Sequence, residues 1–215
     1  MNYSNYWPAM DGRPLDYWLD SDVARMAPVQ TQSALRDIAW AYGQWLGFRA
    51  AVGGLGATLV GAGFLSLAVM GESVTLWLTL ILAGLALTTT AGLVGRVKLA
   101  NIAHGKQPRS SRAAGTSASG IGLALFISAI MSAIMFSGFS GWLSQGPGPA
   151  FSLFAICLLI LCGSLSVFAA PGYCAQHGRR FFRSRIDSDP KLRQELEAMS
   201  LAWRDPVANN SFGSL

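Results

Sequence analysis

The sequence predicts an all-α integral membrane protein. It has four transmembrane helices as two antiparallel hairpins, an N-terminal interfacial helix and a C-terminal cytoplasmic amphipathic helix. Three observations carry this. Of 215 residues, 52% are hydrophobic and only 13% charged, about half the charge of an ordinary globular domain. Four runs without a charged side chain are long enough to cross a bilayer, which takes about 20 residues. The 16 Lys and Arg avoid two of the five segments that these runs leave. Such a composition excludes a disordered chain and a small secreted scaffold built on disulfides.

The first segment, residues 1–30, is an aromatic stretch on the cytoplasmic side. Tyr3, Tyr6, Trp7, Tyr17 and Trp18 sit among Pro8, Gly12 and Pro14, a pattern that predicts no helix but is too aromatic for a plain tail. No early apolar core with a small-residue cleavage site occurs before Arg49, so the first span is expected to act as its own insertion signal. Over residues 31–49, Leu35, Ile38, Tyr42, Trp45 and Leu46 recur at helical spacing. They predict an amphipathic helix in the membrane interface, with Trp40, Trp45 and Phe48 at headgroup level.

The spans are expected at Ala50–Met70, Val74–Gly95, Gly120–Trp142 and Ala150–Ala170. In hydrocarbon a lone segment must satisfy its own N–H and C=O groups, so each is a helix. Residues 50–95 form the first hairpin and 120–170 the second, because short connections make sequential helices antiparallel neighbours. Gly53, Ala57 and Gly61 form one small-residue stripe, and Gly84, Thr88 and Gly92 another. Both are expected at helix contacts, where small side chains let backbones approach.

Arg13, Arg25, Arg36 and Arg49 precede the first span, and seven more basic residues follow the fourth. The loop 96–119 carries Arg96, Lys98, Lys106, Arg109 and Arg112 without an acid. Residues 71–73 and 143–149 carry no Lys or Arg. The positive-inside rule then puts both termini and the middle loop in the cytoplasm of a cell with this chain in its inner membrane. The loop is expected to meet anionic phospholipid headgroups, as are Arg179, Arg180, Arg183 and Arg185, with Phe181 and Phe182 dipping into the interface. The loop lacks the interleaved aromatics of a nucleic-acid surface, so no nucleic-acid partner is expected.

The tail, 171–215, opens on Pro171-Gly172 and ends in a helix over 190–204. Asp189 suits its N-cap and Pro190 its first position. Leu192, Leu196, Met199 and Trp203 share one face. Such a helix is marginal alone, so the face needs a cover: the N-terminal segment, the membrane surface, or a docked partner subunit.

Catalytic chemistry is hard to place. The spans hold no Asp, Glu, Lys, Arg or His, although proton and ion pathways usually keep one. His104 and His177 lie near the boundary, away from the serines in the spans. Cys157, Cys162 and Cys174 show no metal-ligand spacing. No phosphate-binding loop, zinc-protease helix or carboxylate pair occurs. We therefore expect no catalytic, cofactor or metal site. The favoured class is a non-catalytic subunit of a larger membrane complex, such as a respiratory assembly or a secretion or conjugation machine. Its partners would be other membrane subunits or further copies of the chain. The alternative is a small oligomeric transporter or channel for a neutral solute. An interfacial enzyme using His104 and His177 on a lipid phosphate is the weakest reading.

Overall fold

The computed structural model describes residues 13–26, 33–69, 74–94, 116–137, 141, 147–202, 212, 213 and 215. Among them the fold is all-helical. The helices are α1 (Leu15–Leu19), α2 (Ser21–Met26), α3 (Ala34–Val69), α4 (Val74–Val94), α5 (Ser117–Phe136) and α6 (Pro147–Ser164). A π-helical segment (Leu165–Ala169) leads from α6 into α7 (Ala170–Gln176), followed by α8 (Gly178–Ser188) and α9 (Pro190–Ala202). Four stretches are long and apolar enough to cross a membrane: Ala34–Ala68, Val74–Leu93, Ser117–Phe136 and Gly148–Gln176.

The interfacial helix and first span expected as separate elements are one helix. Ser33 Oγ accepts from Arg36 N at 3.2 Å and caps it, and no proline interrupts residues 34–69. Nothing at Arg49–Ala50 ends the backbone ladder, which is costly to open in an apolar medium.

Pro171 is likewise no terminus. A proline ring inside an α-helix clashes with the carbonyl four residues back. Here the preceding turn is wider: Ala170 N–H donates to Leu165 O, five residues back. The π segment makes room for the ring, and the helix continues to Gln176. The residues read as a non-helical N-terminal stretch also need correction, since Tyr17 and Trp18 lie in α1. Leu15 and Trp18, three apart, are both buried. A five-residue helix has no stability of its own, so burial holds it. Met70, Gly95 and Trp142, the expected ends of three spans, lie outside the described residues.

The chain divides into two compact units. The first comprises the described residues up to Gly43 and from His177 onward. Its core joins distant segments: Leu15 and Trp18 of α1, Leu35 and Ile38 of α3, Phe182 and Ile186 of α8, Leu192 and Leu196 of α9. Phe212 and Leu215 complete it. Backbone bonds tie these pieces together. Leu35 N donates to Phe212 O at 3.1 Å, satisfying one of the open donors of the first turn of α3. Leu215 N donates to Trp18 O at 3.1 Å, and Arg183 Nη2 donates to Leu215 O at 2.7 Å.

The second unit comprises the described residues of 44–94 and 116–176. It contains the long apolar helices, and its buried positions are mostly small: Gly56, Gly63, Gly84, Ala91, Gly120 and Ala124. Several hydroxyls on these helices return to their own carbonyls, as in Thr58 Oγ1 to Gly54 O and Thr88 Oγ1 to Gly84 O, both at 2.9 Å.

Candidate functional site

Helix contacts in the second unit are set by glycine. A Cβ on Gly56 would come 2.5 Å from Thr88 Oγ1 and 2.7 Å from Gly84 O. One on Gly84 would come 2.7 Å from Val60 Cγ2. One on Gly63 would come 2.5 Å from Ile81 Cγ1 and 3.0 Å from Trp77 O. Positions 56, 60 and 63 share one face of α3, and their partners on α4 run in the opposite chain direction. Of the expected stripe residues, Gly84 and Thr88 lie in this contact, and a Cβ on Gly53 would come 3.6 Å from Ala91 Cβ. Gly61 faces Leu159 instead, where an added Cβ would come 3.1 Å from Leu159 Cδ2. Ala57 is exposed, and a Cβ on Gly92 would meet nothing within 4 Å, so neither position holds a close approach as Gly56 does. Gly56 and Gly63 were missed because they lie seven apart with Val60 between them, so a search for small residues at spacing four does not join them.

The helix α5 has two small-residue sides. Gly120, Ala124 and Ser128 are buried. A Cβ on Gly120 would sit on the Phe168 carbonyl and 3.0 Å from Ala169 Cα. At the start of α5, Ser117 Oγ and N donate to Gln176 Oε1 at 2.7 and 3.2 Å. On another side, Ala118, Gly122, Ala129 and Ala133 are exposed. Their spacing of four, seven and four keeps them on one face, and Gly122 meets nothing within 4 Å. In a membrane this is a shallow groove between larger side chains such as Ile121, Phe126 and Ile130, which are all exposed.

A cleft of about 560 Å³ opens between α3, α4 and the fourth span (α6 through α7). Its walls are apolar apart from the hydroxyls of Thr58, Ser66, Ser152 and Ser164. Thr58 and Ser152 donate to helix carbonyls, the latter to Gly148 O at 3.0 Å. Ser66 Oγ is buried and has no hydrogen-bond partner among the described residues.

The basic residues expected at headgroups divide. Arg179, Arg180 and Arg185 are exposed. Arg183 is half-buried and holds Leu215 O. Arg96, Lys98, Lys106, Arg109 and Arg112 lie outside the described residues, as does His104. Phe182 does not dip into a membrane interface: it is fully buried and packs on Tyr42, ring centroids 5.6 Å apart. Of the three covers expected for the apolar face of α9, the chain's own segments supply the cover, and the partner-docking role of Leu192, Leu196 and Met199 is corrected. Leu192 and Leu196 are buried in the first unit's core and Met199 packs against it, so the chain itself covers them. Trp203 lies outside the described residues.

No group of three or more His, Cys, Asp or Glu able to hold a metal ion occurs among the described residues. His177 sits between α7 and α8, its ring 6.4 Å from that of Phe181. Cys157, Cys162 and Cys174 are free thiols. Comparison with protein-family models, curated proteins and solved structures finds no match.

Proposed function

We propose that this chain is a non-catalytic subunit of a larger membrane complex, and that a partner's transmembrane helix seats on the exposed small-residue face of α5. The observation that carries the reading is Ala118, Gly122, Ala129 and Ala133 open on a helix whose opposite small face is already used. In lipid the hydrophobic effect does not drive helices together; close packing does, and small residues are where it is available. A lipid-facing helix with no partner gains nothing from such a groove. The partner is another membrane subunit or a second copy of this chain.

In this reading the spans form two helical hairpins in a cell's inner membrane. The termini and the basic loop face the cytoplasm, following the placement of all 16 Lys and Arg. The exposed Arg179, Arg180 and Arg185 then lie on the side of the bilayer whose anionic headgroups attract them.

The test is native size after extraction in a mild detergent, for the wild type and for Gly122→Leu with Ala129→Leu. The wild type is expected as a particle larger than one chain, with a defined companion. The double variant, which fills the groove, is expected to insert normally and lose that companion. Leu123→Phe, on a different exposed side, is expected to keep it. A double variant that retains its companion, or a wild type that runs as a single chain, would falsify the docking proposal.

A further inference from the structure

We infer that residues 212–215 are a strap that closes α1 onto the first unit. Strap and α1 dock and release as one piece, while α3, α8 and α9 stay packed on one another. The inference is independent of the partner reading and of which side of the membrane is cytoplasmic.

Each piece is held by the other. A helix of five residues has no stability of its own, and α1 is buried through Leu15 and Trp18. Phe212 meets Trp18 edge to face, ring centroids 6.2 Å apart. The Trp18 carbonyl, one of those that a helix end leaves without a partner, accepts from Leu215 N at 3.1 Å. In turn, Phe212 O accepts from Leu35 N at 3.1 Å in the first turn of α3. Leu215 O accepts from Arg183 Nη2 of α8 at 2.7 Å. The strap is therefore a bridge, bound to α3 and α8 through its carbonyls and to α1 through its amide. The ion pair of Asp16 with Arg193 also ties α1 down, but both side chains are substantially exposed, and pairs of that kind hold little.

The strap is shaped for this. Phe212 and Leu215 are both 3% exposed, although residues three apart on an extended chain point to opposite faces. Gly213 lies between them at φ 70°, a left-handed conformation that glycine adopts without steric cost. The turn brings both side chains to the core. By contrast, α3, α8 and α9 have contacts that need neither piece. Leu35 and Ile38, Phe182 and Ile186, and Leu192 and Leu196 share one core. Tyr42 packs on Phe182 with centroids 5.6 Å apart. At the start of α8, an added Cβ on Gly178 would come 3.0 Å from Gly43 Cα, so α3 and α8 meet backbone to backbone. Segments with few buried contacts of their own open before the core that they cover.

The experiment is amide hydrogen exchange, read by mass spectrometry, on the full chain in nanodiscs. The wild type is compared with Phe212→Ser plus Leu215→Ser, and with Gly213→Val. The double variant loses two buried apolar side chains and is expected to exchange about a hundredfold faster over residues 13–26. Residues 178–202 are expected to stay within about threefold of the wild type. Gly213→Val keeps both apolar side chains but disfavours the turn, and is expected to speed exchange over residues 13–26 about tenfold. A synthetic peptide of residues 208–215 at about 1 mM, the effective concentration of a short tether, is expected to restore protection to the double variant. Should the double variant fail to fold, the same readings on Gly213→Val decide. Unchanged exchange over residues 13–26 overturns the strap. Exchange that rises equally over 13–26 and 178–202 also overturns it, because the unit then opens as one core. Failure of the peptide to restore protection overturns it as well, since strap and groove then do not recognise each other.

Discussion

The two units invert each other's packing rule. In the first, large side chains are inside: Phe182, Leu35 and Leu15 are almost wholly buried. In the second, apart from the fully buried Leu153, large side chains are mostly outside and small ones inside. Phe126, Phe151 and Leu82 are each more than half exposed, while Gly56, Gly84 and Gly120 are buried. Water explains the first arrangement, since removing a Leu or Phe side chain from it contributes roughly 1.5–3 kcal/mol. Lipid explains the second. Apolar side chains lose nothing by facing acyl chains, so the gain comes from backbones in close contact. The contrast distinguishes a unit with a large-residue core from a unit with a small-residue core within one chain, without reference to any charge.

That contrast can be broken from either side. The largest effect is expected from Phe182→Ala, which empties the centre of the first unit and costs about 3–5 kcal/mol. Limited proteolysis should then cut within residues 177–215, while circular dichroism retains the helix signal of the spans. Loss of both together would show that the two modules do not fold by separate rules. Next is Gly84→Leu, which drives a side chain into Gly56 and Val60 and is expected to cost about 1–3 kcal/mol or more. Gly92→Leu, into open space, should leave the thermal midpoint in detergent unchanged. Equal effects would mean that glycine contacts do not hold the second unit. The smallest effect is expected from Arg193→Ala, which removes an ion pair to Asp16 at 2.5 Å with both side chains substantially exposed. Such pairs contribute about 0–1 kcal/mol, and the loss should vanish in high salt.

Much of the membrane unit was legible in one dimension. A charge-free run of about 20 residues has few alternatives to a spanning helix, and the structure has four helices long and apolar enough to cross a membrane. The start of α9 was also local: Asp189 precedes Pro190, and Leu192 N donates to Asp189 Oδ1 at 3.4 Å. Other features were not readable. Tyr17 and Trp18 sit in a helix too short to form by propensity, so only its burial against distant segments reveals it. Pro171 reads as a helix end unless the widened turn before it is known. Phe182, between arginines, has the local signature of an interfacial anchor, yet the chain closes over it.

What the sequence by itself determined is what depends on residues near one another along the chain: the helices, their length and apolarity, and the asymmetric placement of positive charge. The tertiary structure decided which glycines meet. It chose Gly56 and Gly63 over Ala57 and Gly92, and gave α5 one used and one open small face. It also placed Leu192 and Leu196 against the chain's own N-terminal helix and C-terminal residues instead of a partner. The reason is rotational. Hydropathy says that a helix lies in lipid or against a core, but not how far it turns about its axis. That rotation is set by shape fit against a neighbour many residues away.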